Sequence, residues 1–352
     1  MNIKITYAIG LMSGTSLDGL DLVYVKFAHE NRYRFEILSH TTVKYSDHWK
    51  GQLQCGIQLE QDALYELDLN YGAYLGTMVC EFIQNNCIER VDFIASHGHT
   101  IFHQPEKGIT KQIGDGQEMA NVTGHRVVCD FRTQDVELGG QGAPLVPIGD
   151  RLLFSDVDAC VNLGGFANIS FEKKGQRIAY DLCPVNVVLN YYSEKLGQDF
   201  DAAGKLASVG KIDQNLLDRL NDLDYYSKSP PKSLGIEWVN DLIFPMLHSS
   251  ENYHDILRTY AEHIAVQIAR HIKDFNSVLF TGGGVFNTFL MHRIEQLVSS
   301  RIIIPDREII DFKEALIFAL LGLLKLEDRV NCLASVTGAS QDHVSGKIFT
   351  PK

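Results

Sequence analysis

The sequence lacks an excess of positive charge. Its 44 Asp and Glu residues outnumber 32 Lys and Arg residues, which gives a formal net charge of −12. Surfaces that bind nucleic acid need clustered Lys and Arg to meet the phosphates. We therefore expect no nucleic-acid partner and a small molecule instead.

The sequence also lacks a cysteine framework. The seven cysteines are odd in number and contain no C-x-x-C pair, which fits neither a disulfide scaffold nor a zinc site. A reducing cytoplasm is the location that this pattern favours. The cysteines are Cys55, Cys80, Cys87, Cys129, Cys160, Cys183 and Cys332.

No long apolar run is present. The longest, residues 315–324, has about half the length that a membrane helix requires, so it predicts a buried helix and no membrane contact. The N-terminal stretch MNIKITYAIGLM leads into a glycine turn without a cleavage-like site, and it reads as a strand rather than a signal peptide.

The usual nucleotide-binding signatures are missing. The lysines in GKL (204–206) and GKI (210–212) lack the spacing and the Ser or Thr of a Walker A loop, and GDGQEM lacks the third glycine of a dinucleotide fingerprint. The chain is therefore predicted to be neither a P-loop protein nor a Rossmann dehydrogenase.

The apolar patterning predicts an α/β protein built from a duplication. Residues 1–133 predict three strands, a helix over 62–88, a strand, a short helix closed by Gly124 and another strand. A similar order restarts near residue 158, with helices over 185–195, 256–272, 287–298 and 312–324. We predict one lobe from 1–133 plus about 326–352, another from 134–325 with an insertion over 197–253, and a cleft between them.

Three glycine-rich turns each follow an apolar strand: SGTSLDG (13–19), NLGGFAN (162–168) and FTGGGVFN (280–287). Exposed N–H groups in such turns form concavities that bind anions, and a nucleotide triphosphate is the obvious large anion. For any single one of them an ordinary tight turn is the favoured explanation. Three such turns, two of them in equivalent positions of the repeat, favour phosphate binding. Asp18 and Asp21 in the first turn suit Mg²⁺ or ordinary turn chemistry.

These residues resemble the anhydro-N-acetylmuramic acid kinase family, which belongs to the superfamily of sugar kinases, heat-shock protein 70 and actin. The similarity runs nearly end to end through GLMSGTSLDGLD, SHGHT, QIGDG, DFRTQDVELGGQGAPLVP, NLGGFANIS, PPKSLGIEW, TGGGVFNTFLM and KEALIFALLG. It implies two ribonuclease H-like lobes of the actin-like ATPase fold and an enzyme that opens a 1,6-anhydro sugar with water and phosphorylates its 6-oxygen with ATP. It also implies a homodimer.

The resemblance implies a role for each motif. ATP phosphates are expected against the first two turns, adenosine near the third, and Mg²⁺ at Asp18. The sugar is expected to face residues from four separate motifs. The ATP set is Gly14, Thr15, Ser16, Leu17, Asp18, Gly19, Asp21, Asn162, Gly164, Gly165, Asn168, Gly282, Gly283, Gly284 and Asn287. The sugar set is His97, Thr100, Arg132, Gln141 and Glu314.

Asp181, at the end of RIAYDL, corresponds to the general base of the family. Arg132 suits two-point contact with the sugar carboxylate, although an ion pair with Asp130 or Asp135 explains it too. Glu314 is equally explained as a carboxylate at a helix N-terminus. His97, His99 and His103 lack the neighbouring ligands of a zinc site. The family usually carries Gln at the position of His99, so the resemblance implies a polar lining residue there.

The sequence departs from the family after Asp181, where Thr-Gly-Pro-Gly-Asn is replaced by LCPVN over 182–186. We expect these side chains to project where the family's backbone approaches the ligands. In the DAAG segment (201–204), the family's second acidic residue is absent. Three alternatives stay open: a kinase for a related anhydro or amino sugar, a catalytically silent nucleotide-binding protein, and a glycosidase that uses two carboxylates without ATP.

Overall fold

The computed structural model describes residues 3–14, 17–248 and 252–352, so Thr15 and Ser16 of the predicted ATP set lie outside the described residues. The chain forms two compact units. The first unit comprises Met1–Leu153 and Phe312–Lys352, and the second comprises Phe154–Asp311. The first boundary lies about twenty residues after the predicted 133/134, and the second lies fourteen residues before the predicted 325/326. Both differ because helices on either side of the second unit in the sequence pack on the first sheet.

Thirteen strands lie in the described ranges. They are β1 (Lys4–Ser13), β2 (Leu20–His29), β3 (Tyr33–Val43), β4 (Phe93–Ser96), β5 (His99–Gln104), β6 (Ile109–Ile113), β7 (Val127–Cys129), β8 (Ala159–Leu163), β9 (Phe166–Lys173), β10 (Gln176–Pro184), β11 (Ser277–Thr281), β12 (Arg301–Ile303) and β13 (Lys347–Phe349).

The same part of the chain contains fifteen α-helices. They are α1 (Asp47–Cys55), α2 (Gln61–Asn85), α3 (Gly116–Thr123), α4 (Thr133–Glu137), α5 (Val146–Leu153), α6 (Asn186–Glu194), α7 (Lys205–Ser208), α8 (Gln214–Asn221), α9 (Asp224–Ser227), α10 (Ile236–Trp238), α11 (Phe244–Leu247), α12 (Tyr253–Ile272), α13 (Thr288–Leu297), α14 (Arg307–Leu326) and α15 (Ala334–Thr337). A π-helical stretch lies at Val239–Ile243, and 3₁₀ turns lie at Gly56–Gln58, Pro105–Lys107, Ala202–Gly204 and Gly283–Phe286.

The main sheets of the two units have the same topology. In the first, the order is β13-β7-β4-β1-β2-β3, with β1, β2 and β3 antiparallel and β4 and β7 continuing in parallel. In the second, the order is β10-β9-β8-β11-β12, with the same alternation of directions. Each unit thus carries an antiparallel three-stranded meander extended by two parallel strands, which confirms the predicted duplicated ribonuclease H-like fold.

Helix α14 is the buried helix that the apolar run 315–324 predicts, and it packs on the first sheet at Gly10. A Cβ atom at Gly10 would lie 2.1 Å from the carbonyl oxygen of Ala315, so only glycine permits this approach. Residues Ala315–Leu321 are almost fully buried. Among the described residues, no helix combines the length and apolarity needed to cross a membrane.

The segment 197–253 is predicted as a turn-rich insertion. Its described residues form several short helices between 202 and 247, and these complete the core of the second unit. Its apolar side chains pack with helix α12 and strand β8, and the buried ones include Leu216, Leu220, Tyr225, Val239, Ile243 and Leu247. Helix α8 shows why the apolar periodicity of this segment is hard to detect. It has only eight residues, with leucines buried on one face and polar side chains exposed on the other, so the helical period repeats about twice.

The predicted helices and strands outside this segment are present, although helix α14 begins at Arg307 rather than at 312. Helices α1, α4, α5 and α15, strand β13 and the β5–β6 hairpin were not predicted. Strand β5 follows β4 after two residues, and only two of its six residues are buried, so the sequence predicts one strand followed by a loop. The final strand β13 pairs antiparallel with β7, which places the end of the chain in the first unit.

Candidate active site

The first glycine turn joins β1 to β2 in the first unit. Leu17 has a positive φ of 59°, and its N–H donates to the Gly14 carbonyl across 3.3 Å. Asp18 is exposed and makes no hydrogen bond to another described residue. Asp21 is inside β2, where it accepts a hydrogen bond from Thr42 Oγ1 at 2.6 Å. The turn therefore presents an accessible carboxylate at Asp18 and holds that of Asp21 against the sheet.

A chain of buried hydroxyl groups fixes the strand end before this turn. Tyr45 donates its hydroxyl proton to Ser13 Oγ at 2.7 Å and lies 2.6 Å from the hydroxyl of Tyr71. Ser13 Oγ is also 2.9 Å from His99 Nδ1. Burial lowers the pKa of His99 to about 4, so the imidazole is neutral at neutral pH. His99 thus supports the position of the turn, which is a more specific role than the predicted polar lining.

Arg132 and His97 are joined directly. Arg132 Nε donates to His97 Nε2 at 2.9 Å, and Nη1 donates to the Gly142 carbonyl at 2.6 Å. Because His97 Nε2 accepts, the ring proton is on Nδ1, which donates to the Gly98 carbonyl at 2.9 Å. Burial, aided by the Arg132 charge, holds the pKa of His97 well below its usual range. The ion pair of Arg132 with Asp130 or Asp135 is therefore not formed.

Those two aspartates have other partners. Asp130 accepts from Thr133 Oγ1 at 2.5 Å and pairs with Lys347 Nζ at 2.7 Å, while Asp135 accepts the Gly142 N–H at 2.7 Å. Arg132 Nη2 has no hydrogen-bond partner among the described residues. The guanidinium is consequently oriented by neutral groups and keeps donors available.

Glu314 lies inside helix α14, more than a turn after Arg307, so its interpretation as an N-terminal helix carboxylate is wrong. The side chain is accessible to solvent, but many protein atoms surround its carboxyl group and partly desolvate it. These atoms raise the pKa of its carboxyl group, while the charges of Arg132 and Lys313 oppose that shift. Arg132 and Glu314 therefore act on each other electrostatically within the first unit.

The other predicted sugar residues are less constrained. Thr100 Oγ1 accepts a long 3.4 Å hydrogen bond from Gln112 Nε2, and Gln141 exposes its side chain while its N–H donates to the Thr337 carbonyl. A cavity of about 250 Å³ lies behind this region, and of the predicted sugar set only His97 lines it. The cavity therefore does not gather the predicted set.

The second and third glycine turns are brought together in the second unit. Parallel pairing of β8 and β11 places Thr281 beside Asn162. Gly282 has φ +83°, and a Cβ there would lie 2.7 Å from Asn162 Oδ1 and 2.8 Å from the Leu163 backbone. A Cβ on Gly284 would lie 2.7 Å from Leu163 Cβ, whereas one on Gly283 would meet nothing within 4 Å. Glycine at 282 and 284 permits the turns to touch.

The polar residues of these two turns differ in their surroundings. Asn168 is exposed opposite Asn162 in the β8–β9 pairing. Asn287 is buried, and its Oδ1 accepts the Leu290 N–H at 3.0 Å at the start of helix α13. The Asn287 side chain is thus already used as a helix cap.

The Gly164–Gly165 turn is covered by the entry to helix α6. Val185 N–H donates to the Gly165 carbonyl at 2.8 Å, and Asn186 N–H donates to the Gly164 carbonyl at 3.3 Å. The turn carbonyls therefore point toward the protein, and the helix start holds the turn in place.

Asp181 lies in strand β10 where the pairing with β9 shifts register between Asp181 and Cys183. Its Oδ2 accepts the Leu234 N–H at 2.8 Å, and its own backbone bonds to Lys232 and Tyr225. Partial burial raises the pKa of this carboxyl group, and the Leu234 hydrogen bond opposes the rise. The geometry gives an oriented carboxylate with an elevated pKa, as a general base requires.

Lys232 lies in the motif PPKSLGIEW, and the sequence alone predicts no role for it. Its Nζ donates to the Tyr225 carbonyl at 3.2 Å and lies 4.6 Å from the centre of the Tyr225 ring. Burial lowers the pKa of this amine. A lysine that follows two prolines in a turn-rich segment was the only feature of the sequence that could have drawn attention to it. In the structure its carbonyl accepts the Asp181 N–H.

The departures after Asp181 do not project toward ligands, so that expectation is wrong. Leu182, Cys183 and Val185 are fully buried in the core of the second unit. The register shift turns Leu182 and Cys183 inward, where larger apolar groups fill space. Asp201, retained in DAAG, accepts the N–H groups of Leu206 and Ala207 and so fixes the start of α7.

Two units with one topology, each with a glycine turn at the end of its first strand, define an α/β protein of the actin-like ATPase fold, a class that includes sugar kinases. Sequence comparison refines this class. A sequence model of one family, anhydro-N-acetylmuramic acid kinase, matches residues 6–351.

Individual relatives agree with that match. Anhydro-N-acetylmuramic acid kinase of Shewanella baltica is 35% identical over 372 residues and covers 99% of this chain and 100% of the relative. The enzyme of that name from Francisella tularensis subsp. novicida is 34% identical over 382 residues, with 97% and 98% covered. The chain belongs to the anhydro-N-acetylmuramic acid kinase family and is a kinase, a phosphotransferase.

Among solved structures, a xylulose kinase from Lactobacillus acidophilus resembles the chain with a TM-score of 0.45 and 10% identity, and the match covers 99% of this chain and 94% of that one. A likeness at this level does not identify a function.

Proposed function

We propose that this chain uses ATP to phosphorylate 1,6-anhydro-N-acetylmuramic acid while water opens the anhydro ring. The names of the relatives give the sugar, and a kinase needs a phosphoryl donor. The observation that carries the proposal is Asp181, whose carboxylate is oriented by the Leu234 N–H and has a raised pKa. A base with a pKa nearer the working pH contributes roughly 10²–10⁴-fold to a rate.

The reaction that we assign to this base is balanced as follows. Water loses a proton to the Asp181 carboxylate as its oxygen bonds to the anomeric carbon. The bond between that carbon and the 6-oxygen breaks, and the 6-oxygen bonds to the γ-phosphorus. The bond from the γ-phosphorus to the bridging oxygen breaks, and ADP leaves. Beyond the base, the protein contributes mainly alignment and charge neutralisation.

The ATP phosphates are assigned to the glycine turns at residues 14–19 and 162–168, and the adenosine to 282–287. In support, Gly282 lies close to Asn162 and Leu163 and Gly284 lies close to Leu163, so two of the turns form one continuous surface. Asp18 has the exposed, acceptor-only carboxylate that a hard cation prefers. Bound Mg²⁺ there would neutralise phosphate charge, with Asp21 held nearby by Thr42.

The sugar is assigned to His97, Thr100, Arg132, Gln141 and Glu314. Support comes from Arg132, whose Nε and Nη1 already bond to His97 and Gly142. A guanidinium fixed in this way can meet the sugar carboxylate with its Nη1–Nη2 end without losing much side-chain freedom.

The test incubates the full chain with ATP, Mg²⁺ and 1,6-anhydro-N-acetylmuramic acid in H₂¹⁸O and follows ADP and sugar mass. We expect a product carrying phosphate and one ¹⁸O, with a preformed 6-phosphosugar as the control for exchange. Asp181→Asn should fold, bind ATP and lose turnover at least about 100-fold. Asp199→Asn, an exposed aspartate in the same unit, is the matched control and should retain full activity.

Two results would change the assignment. ATP binding with no turnover on any anhydro or amino sugar would favour the silent nucleotide-binding protein. Near-full activity in Asp181→Asn would remove Asp181 as the base while leaving the substrate assignment intact.

A further inference from the structure

Three potential metal ligands meet inside the first unit: Asp135, Cys332 and His343, here called the Asp–Cys–His cluster. Asp135 lies in helix α4, and Cys332 and His343 face each other through an isolated antiparallel bridge near the C-terminus. Their exposed fractions are 0%, 1% and 6%. One ligand atom from each lies within 4.8 Å of the others.

His343 provides an independent sign that a cation belongs there. Its Nδ1 lies 3.2 Å from the Gln341 carbonyl and donates its proton to it, which leaves a lone pair on Nε2. That buried Nε2 has no hydrogen-bond partner among the described residues and lies 3.6 Å from Asp135 Oδ1. Asp135 Oδ1 accepts hydrogen bonds from the Cys332 thiol and from Thr337 Oγ1, but no proton lies between this oxygen and His343 Nε2. A buried ring nitrogen that faces a carboxylate oxygen without a donor is unfavourable, and a cation bound between them would remove this cost.

The distances suit a tetrahedral zinc ion. Zinc bonds to nitrogen and oxygen at about 2.0–2.2 Å and to sulfur at about 2.3 Å, which places ligand atoms roughly 3.3–3.7 Å apart. Here the Cys332 thiol donates a hydrogen bond to Asp135 Oδ1 across 3.0 Å, and His343 Nε2 lies 3.6 Å from the same oxygen. Zn²⁺ would replace the thiol proton in this contact. Small side-chain shifts would produce the tetrahedral edges.

The surroundings also match a metal site. Ligating histidines commonly donate their other ring proton to a backbone carbonyl, as His343 does to Gln341. The carboxylate is supported by Thr337 Oγ1 at 2.7 Å and the Gly142 N–H at 2.7 Å. Mixed carboxylate, thiolate and imidazole ligands select zinc over magnesium or calcium.

We propose that the Asp–Cys–His cluster binds one Zn²⁺ through Asp135 Oδ1, Cys332 Sγ and His343 Nε2, with water as the fourth ligand. On binding, the thiol proton leaves to solvent and the thiolate bonds to the metal. The ion joins the C-terminal segment to helix α4 and, through Asp135 and Gly142, to the 139–144 loop. Its role is structural, and it is independent of the reaction proposed above.

The test uses the full chain, treated with a chelator and dialysed, and adds Zn²⁺ or Co²⁺ alone. We expect one zinc per chain by elemental analysis, a thiolate-to-cobalt absorption band, and a rise in the unfolding midpoint of roughly 5 °C at a hundredfold excess over Kd. Cys332→Ser should abolish the cobalt band, and His343→Gln should weaken zinc binding at least about 100-fold.

Cys129→Ser is the matched control, because Cys129 is another buried cysteine of the first unit outside the cluster. It should retain the band and the stoichiometry. The proposal is overturned if the parent chain binds no zinc, if binding persists in both cluster variants, or if nuclear magnetic resonance shows His343 doubly protonated without metal. All of these readouts are separate from kinase activity.

Discussion

Gly282 offers a sharp test of how the glycine turns are built. Its φ and ψ of 83° and 158° lie in a region that essentially only glycine adopts, where another residue costs of the order of 1–3 kcal/mol. The Cβ of Gly282→Ala would also lie 2.7–2.8 Å from Asn162 Oδ1 and the Leu163 backbone. Overpacking of this kind adds about 1–3 kcal/mol. The substitution should therefore destabilise the second unit by about 2–6 kcal/mol.

Gly283→Ala is the matched control for Gly282→Ala. The adjacent glycine is exposed, and a Cβ there meets nothing within 4 Å, so stability should change by no more than about 0.5 kcal/mol. If the turn contacts nucleotide, this added methyl group should weaken ATP binding even though the fold is intact.

The measurement is thermal and denaturant unfolding of both variants with ATP titration by calorimetry. For a unit of this size Gly282→Ala should lower the unfolding midpoint by at least about 4 °C. Equal midpoints for the two variants would refute the reasoning about close approach, and unchanged ATP affinity in Gly283→Ala would count against nucleotide contact at this turn.

Two further predictions concern Asp181 and its neighbour. Because the pKa of Asp181 is raised in the folded protein, the stability that its neutral form contributes is lost as pH rises through that pKa. At pH 7 the thermal unfolding midpoint of Asp181→Asn should therefore be at least as high as that of the unsubstituted chain, and a lower midpoint would contradict a raised pKa. The kcat/KM of the unsubstituted chain should fall as the pH drops through that pKa. Leu182→Thr should lower the free energy of unfolding by about 2–4 kcal/mol, because it buries a hydroxyl group and removes apolar contacts. The KM values should not change. An altered KM with unchanged stability would show that residue 182 faces the ligand.

Much of the fold was predictable because its signals are local. Helix α2 and helix α14 carry long apolar stripes. Gly124 closes helix α3, as predicted, and does so in the left-handed conformation. The β5–β6 hairpin and helix α1 were missed because their polarity is mixed and their burial depends on distant partners. Short helices over 197–253 gave too few turns for periodicity to register.

The arrangement of the candidate site was less predictable. The sequence identifies Arg132 and His97 as candidates, but the hydrogen bond between them joins residues thirty-five positions apart. The inward packing of Leu182 and Cys183 depends on a register shift in β10, which no pattern in that stretch indicates. Pairing of Thr281 with Asn162 likewise requires the parallel contact of β8 and β11.

The interrupted course of the first unit has a consequence during synthesis. Its central strand β1 needs Ala315 of helix α14 against Gly10, and β7 needs its edge partner β13. During synthesis, the strands of the first unit are made before residues 312–352, so these contacts cannot form until 312–352 leave the ribosome. The second unit, residues 154–311, is continuous and can fold earlier. Removing residues 312–352 would therefore expose strands β1 and β7 to aggregation.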